Sequence, residues 1–163
     1  MLKRLDSRVL YGMRTRFHSP PAEAIGKALG KLGEYGAVWF AIGIVMAFVD
    51  PDNGEDWVIA GLLGPIAIGL NFAVKLVVRR PRPVLEGLPP LGGAPSSLSF
   101  PSAHATSSFA CATAMTRIAP EAGFLFLLAG GIAVCRPYLG MHYPSDVLAG
   151  AILGTGLGLV VPL

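Results

Sequence analysis

Charge is what this chain has least of. Asp, Glu, Lys and Arg together make up 14% of its 163 residues, against about 25% in an ordinary soluble domain. Cysteine is almost absent. Cys111 and Cys135 are the only two, both lie in apolar segments, and neither has metal-ligand spacing. That excludes a disulfide framework or a cysteine zinc site and leaves both as small helix-packing residues. Aromatic residues make up 9%, and the basic residues flank apolar segments and form no aromatic-interleaved basic surface. With a net charge of only +3, nucleic acid is excluded as a partner. The first thirty residues hold no compact apolar stretch, and Lys/Arg are scattered through them, so no cleavable signal peptide is expected. No carboxylate cluster of the kind a two-metal site needs is visible, so neither metal nor other cofactor is expected.

Apolar residues, by contrast, reach 53% and are gathered into long runs, with a mean hydropathy of +0.60. A run of roughly 20 such residues matches the hydrocarbon thickness of a bilayer. These features predict an all-α, polytopic membrane helical bundle forming a single domain over 1–163. Residues 1–32 are expected to be interfacial N-terminal helices and 33–163 the transmembrane core. Residues 1–18 alternate Leu2, Leu5, Val9, Leu10, Met13 and Phe17 with Lys3, Arg4, Arg8, Arg14 and Arg16, the pattern of a basic amphipathic helix on a membrane surface. Ser19 followed by Pro20 and Pro21 opens a second helix.

About five spans are expected. The first follows the glycine-rich stretch from Gly26 to Gly36 and ends near Val49. The second runs from Trp57, an interfacial anchor, to Val78. A Pro/Gly/Ser-rich loop over 79–101 comes next, then spans over 102–118, 122–138 and 144 to the C-terminus. The last carries Gly150, Gly154, Gly156 and Gly158, small residues that favour close packing of helices in lipid.

With so few polar residues, those present are informative. An ionisable residue at a membrane segment marks a functional site by default. Lys75, Arg82, His104, Arg136, His142 and Asp146 all lie near the ends of predicted spans. If five spans alternate in direction, these ends emerge on one face. Three cations and two histidines converging there form an anion site, and phosphate fits it best: arginine clamps it bidentately, lysine adds a point charge, and helix N-terminal amides complete the cradle. Asp146, four residues after His142, can fix the tautomer of that ring. Two histidines with one carboxylate supply what covalent phosphoryl transfer requires, a nucleophile and a proton donor. Arg79, Arg80 and Glu86 are read as headgroup contacts or charge flank.

The chain reads Lys75-LVVRRP-Arg82-Pro83, then Pro101-Ser102-Ala103-His104, then Cys135-Arg136-PYLGM-His142-YPS-Asp146. These segments resemble, in order and internal spacing, the three signatures of the PAP2 (type 2 phosphatidic acid phosphatase) superfamily: KxxxxxxRP, PSGH and SRxxxxxHxxxD. The resemblance implies a metal-independent lipid phosphatase working through a phosphohistidine. His142 would be the nucleophile, Asp146 its orienting carboxylate and His104 the general acid. Lys75, Arg82, Ser102, Ala103 and Arg136 would hold the phosphate. Two positions depart from the family pattern: Ala103 stands where glycine is usual and Cys135 where serine is usual.

By that resemblance the substrate is a phospholipid or a polyprenyl phosphate. The compact, Ala/Gly/Arg-rich chain resembles small actinobacterial members acting on decaprenylphosphoryl-5-phosphoribose, with a role in cell-wall biogenesis. Undecaprenyl diphosphate and phosphatidylglycerol phosphate are alternatives, and a catalytically silent lipid-binding relative is another. Vanadium haloperoxidases share the motif set but are soluble. Twelve of the thirteen Lys/Arg fall on the site-bearing face of a five-span arrangement and only Arg117 on the other. The Lys/Arg bias therefore predicts an active site facing the cytoplasm of a bacterial cell membrane.

Overall fold

A computed structural model describes residues 2–92 and 98–163. Positions 93–97 of the predicted 79–101 loop, and Met1 of the predicted domain, lie outside the described residues. Among them the structure is all helical, with seven α-helices: α1 Leu2–Thr15, α2 Pro20–Leu32, α3 Ala37–Val49, α4 Gly54–Val78, α5 Ala103–Ile118, α6 Leu125–Tyr138 and α7 Pro144–Val160. The Ser19 hydroxyl caps α2 by accepting from the Ala22 N–H at 3.3 Å, with Pro20 and Pro21 in the first turn. This is the start that the sequence predicts.

The bundle is built around α5, which packs on α7, α4 and α6. Large apolar side chains stand exposed on the outer helices, among them Phe48, Val77, Leu127 and Val160, and none of these lies on α5. An exterior this apolar is what a lipid-facing surface looks like. Because α5 is shielded, it can carry polar residues: Trp39 Nε1 donates to Ser108 Oγ at 3.1 Å, and Asn71 Nδ2 donates to Thr106 Oγ1 at 2.8 Å. On α7, Gly150, Gly154 and Gly158 form the buried seam against α5. A Cβ at Gly150 would lie 2.6 Å from the Ser102 carbonyl oxygen, so the two backbones touch. Gly156 faces open space and takes no part in this seam.

The predicted spans are realised unevenly. Among the described residues, Pro51–Val78 is the one helical stretch long and apolar enough to cross a bilayer alone, while Pro20–Leu32 and Glu34–Val49 meet that test together across a 47° bend. The bend follows from left-handed backbone at Tyr35 (φ 55°) and Gly36 (φ 73°), which no continuous helix tolerates. Trp57 departs from expectation. It is 1% exposed and donates through Nε1 to Asp50 Oδ2 at 2.9 Å. It lies on the α4 face turned to α3, where a Cβ on Gly43 would meet the Trp57 carbonyl. It is a core residue and not an interfacial anchor.

Candidate active site

The ends of α4, α5, α6 and α7 bring the predicted site residues together. Lys75, one turn before the end of α4, is 7% exposed and donates to the Leu98 carbonyl at 2.8 Å. Arg82, in the loop beyond α4, donates through Nη1 to the Met141 carbonyl at 2.6 Å and lies 3.3 Å from His142 Nε2. Ser102 is fully buried and caps α5, its backbone N–H donating to the Asp146 carbonyl at 3.0 Å. Arg136, in the last turn of α6, is 7% exposed, and its Nε is buried without a hydrogen-bond partner. Three cations thus face one another at close range and outnumber the carboxylates that act on them, Asp146 on Lys75 and Arg82 and Glu34 on Arg136. That is a costly arrangement unless an anion binds there.

The histidine tautomers follow from their partners. Arginine only donates, so His142 Nε2 accepts from Arg82 and the hydrogen belongs on Nδ1. Nδ1 points to Asp146 Oδ2 at 3.6 Å, just outside hydrogen-bond distance. His142 is 3% exposed. Burial pushes its pKa down to about 4, against the pull of Asp146 and with the added repulsion of Arg82, Arg136 and Lys75. At neutral pH the ring is therefore unprotonated and nucleophilic at Nε2, on the side of the cations. His104, in the first turn of α5, lies with Nε2 3.0 Å from the Gly30 carbonyl. A carbonyl only accepts, so that nitrogen carries a hydrogen. His104 and Arg136 line a cleft of ≈ 320 Å³ with Lys27, Lys31 and Glu34 of the α2 side.

Asp146 does not reach His142 by helical spacing. His142 precedes α7, which begins at Pro144. The carboxylate instead folds back over the helix start, Oδ2 accepting from the Tyr143 N–H at 2.8 Å, as an acid in a first turn does. Its other oxygen, Oδ1, accepts from Arg80 Nη1 at 2.7 Å.

Arg80 is the main correction to the sequence reading, which placed it in the charge flank. Its side chain is 19% exposed and sits at the centre of a polar cluster. Besides Asp146 it donates to Ser145 Oγ at 2.7 Å and to Asp6 Oδ2 at 2.8 Å, and its guanidinium lies 4.1 Å from the centre of the Tyr143 ring. The signal that could have found this cluster is Asp6, the single acid in the basic stretch 1–18. Among the described residues, no group of three or more His, Cys, Asp or Glu comes together as a metal site.

The PAP2 superfamily profile matches residues 57–163. The chain belongs to the PAP2 superfamily. It is 36% identical over 142 residues to the decaprenylphosphoryl-5-phosphoribose phosphatase of Mycobacterium tuberculosis, covering 87% of this chain and 80% of that protein. The crystal structure of Aquifex aeolicus LpxE superposes with a TM-score of 0.79 at 25% identity, covering 96% of this chain and 93% of that one. That of the transmembrane PAP2-type phosphatidylglycerolphosphate phosphatase of Bacillus subtilis superposes with a TM-score of 0.76 at 24% identity, covering 98% and 83%. This PAP2 chain is a lipid phosphatase and a membrane protein.

Neither departure from the PAP2 pattern disturbs the site. Ala103 is the first residue of α5 and helical, so the backbone freedom of glycine is not needed there. The Cys135 thiol donates to the Ile132 carbonyl one turn back, at 3.1 Å, and makes no bond to Asp146.

Proposed function

We propose that this PAP2 phosphatase removes the phosphate of a polyprenyl-linked sugar phosphate through a phosphohistidine on His142, with Asp146 orienting the ring and His104 as general acid. The observation that carries the reading is the polarity of the His142 ring: Nε2 faces Arg82 and the other cations, while Nδ1 faces Asp146. Arg82 turns its Nη1 hydrogen from Nε2 to a phosphoryl oxygen, and the freed Nε2 lone pair attacks phosphorus in line. The bond from phosphorus to the lipid-side oxygen breaks, and that oxygen leaves with the electron pair and takes a proton from His104, which the negative charge of the bound phosphate keeps protonated. Water then attacks the phosphohistidine and gives a proton to neutral His104. The P–N electron pair returns to Nε2 as inorganic phosphate departs. Lys75, Arg82 and Arg136 hold the phosphoryl oxygens, with Ser102 and the first-turn amides of α5 around Ala103 completing the cradle.

The substrate assignment is supported by the 36% identity to the mycobacterial phosphatase. An apolar groove of ≈ 490 Å³, lined by Phe17, Ile25, Leu29, Val134 and Tyr138 among others, lies between α2 and α6 and offers an apolar surface to a lipid chain. The test is phosphate release by purified protein from a panel: a prenylphosphoryl sugar phosphate, undecaprenyl diphosphate, phosphatidylglycerol phosphate and phosphatidic acid. We expect the first to be preferred, with activity unchanged in EDTA and inhibited by orthovanadate, which mimics pentacoordinate phosphorus. Preference for another lipid rejects the substrate, and a strict need for a divalent ion rejects the mechanism.

We further propose five spans and a site facing the cytoplasm, on the strength of the Lys/Arg bias. Single cysteines at Asn53, between α3 and α4, and at Glu86, beyond α4, are introduced with Cys111 and Cys135 changed to alanine. A membrane-impermeant thiol reagent applied to intact cells should label residue 53 and not 86. The reverse pattern puts the site outside.

A further inference from the structure

α1 has two faces of different character. Leu5 and Val9 are exposed, at 59% and 41%, whereas Asp6, Leu10 and Arg14 are buried, at 4%, 0% and 4%. The buried three are spaced four residues apart, so they form one stripe along the helix. At one end of it Arg14 Nη2 donates to the Pro89 carbonyl at 2.7 Å, pinning α1 to the loop beyond α4. At the other end both oxygens of Asp6 are engaged at the start of α7. Oδ1 accepts from the Ser145 N–H at 3.0 Å, and Oδ2 accepts from Ser145 Oγ at 2.5 Å and from Arg80 Nη2 at 2.8 Å. An interfacial helix held only by its apolar face needs no buried carboxylate, and burying one is costly unless it is fully paired. Here the pairing ends one residue from Asp146.

The connection is bidentate and shared. One guanidinium spans two carboxylates, Nη2 on Asp6 and Nη1 on Asp146, and its plane is braced by the Tyr143 ring. Arg80 is anchored in turn through its own carbonyl, which accepts from the Ser99 N–H at 2.8 Å. Asp146 therefore has its Oδ1 fixed by Arg80 and its Oδ2 by the Tyr143 N–H. The 3.6 Å gap to His142 Nδ1 is set by where those two donors stand.

We propose that Asp6 is a positioning residue for catalysis: acting through Arg80, it holds the Asp146 carboxylate in the place, and at the effective charge, from which it serves the His142 ring. α1 is then a part of the catalytic centre and not only a membrane anchor. The proposal rests on the roles given above to His142 and Asp146.

Charge sharing gives each variant its own signature. The groups facing His142 are Lys75 on α4, Arg82 in the loop beyond it, His104 on α5, Arg136 on α6 and Asp146 on α7, and Arg80 and Asp6 act on this set only through Asp146. Arg80→Met leaves Asp146 with its full negative charge toward His142, so the acidic limb of the kcat/KM profile moves to higher pH. Asp6→Asn frees Arg80 to neutralise Asp146 more completely, so the limb moves to lower pH. Both lower kcat, on the order of 10- to 100-fold as outer-shell partners of active-site groups generally do, with KM little changed. Arg80→Lys, which keeps the charge and loses the fork, recovers part of the loss. In an Arg80→Met background, Asp6→Asn costs less kcat than it does in the wild type, because the part of its effect that runs through the guanidinium is already lost and only its bonds to Ser145 remain.

The experiment is the pH dependence of phosphate release by the purified full chain on the best lipid of the panel. It compares wild type, these variants, the double variant, His142→Ala and the exposed control Arg8→Ala, with thermal unfolding measured alongside. Opposed limb shifts and non-additive kcat losses are the expected result. Additive losses, or lowered unfolding temperatures with unmoved limbs, reduce the cluster to a structural clamp and overturn the proposal. If Asp6→Asn does not fold, the Arg80→Lys and Arg80→Met limbs decide alone. Activity surviving in His142→Ala rejects the underlying mechanism. An inactive His142→Ala beside a wild-type Asp6→Asn rejects this inference only.

Discussion

His142→Ala is expected to reduce lipid-phosphate hydrolysis to background, because no other side chain can take over the attack on phosphorus. His104 is the one other histidine in the site; as general acid it carries hydrogens on both nitrogens, Nε2 on the Gly30 carbonyl and Nδ1 for the leaving group, and has no lone pair to attack with. Both Asp146 oxygens are occupied by Arg80 and the Tyr143 N–H. Lys75 is tied to the Leu98 carbonyl and, when protonated, has no lone pair. The measurement is inorganic phosphate release together with acid-quench trapping of a labelled phosphoenzyme, which His142→Ala should lack altogether. His104→Ala should give a different picture: phosphoenzyme formation from a lipid substrate becomes slow, since the lipid-side oxygen must leave without its proton. Turnover by His142→Ala near that of wild type would sink the covalent mechanism. Because His142 is almost fully buried, thermal unfolding of the variant must be checked against wild type.

Arg82→Ala and Arg136→Ala should each lose roughly 100- to 1000-fold in kcat/KM, the usual consequence of removing one preorganised donor to a developing oxyanion. The two should not behave alike under conservative replacement. Arg136 has a buried Nε without a protein partner, so its guanidinium is available to substrate, and lysine should restore much of the charge term. Arg82 also holds the Met141 carbonyl at 2.6 Å, in the turn that delivers His142. Losing its fork disturbs the nucleophile as well as the phosphate, and Arg82→Lys should recover less. Steady-state kinetics on the four variants checks this. Equal recovery by both lysine variants would mean that Arg82 does not hold the turn.

The membrane class, the helix order and the convergence of the chemistry were legible in the residues themselves. Long apolar runs leave a chain little choice but a bilayer, and the Ser19-Pro20-Pro21 start signals a helix by local rules alone. The spacings Lys75 to Arg82 and Arg136 to His142 to Asp146 place reactive groups at chain turns, and the structure brings them to one end of the bundle. What could not be read locally depends on partners far apart in the chain. Trp57 looks like an interfacial anchor from its position before an apolar run, and only the packing of α3 on α4 buries it. α5 is too polar in sequence to look like the hub of a membrane bundle, and becomes one because its neighbours, not lipid, meet Thr106 and Ser108. Arg80 stands between Arg79 and Arg82 and reads as one more flanking cation. Its role comes from Asp6, 74 positions earlier, and Asp146, 66 positions later. Short-range pattern determines which residues are apolar, capped or reactive. Which two carboxylates a single guanidinium will join is decided only when helices from opposite ends of the chain pack together, since a charge pairs with what tertiary structure places within about 3 Å of it.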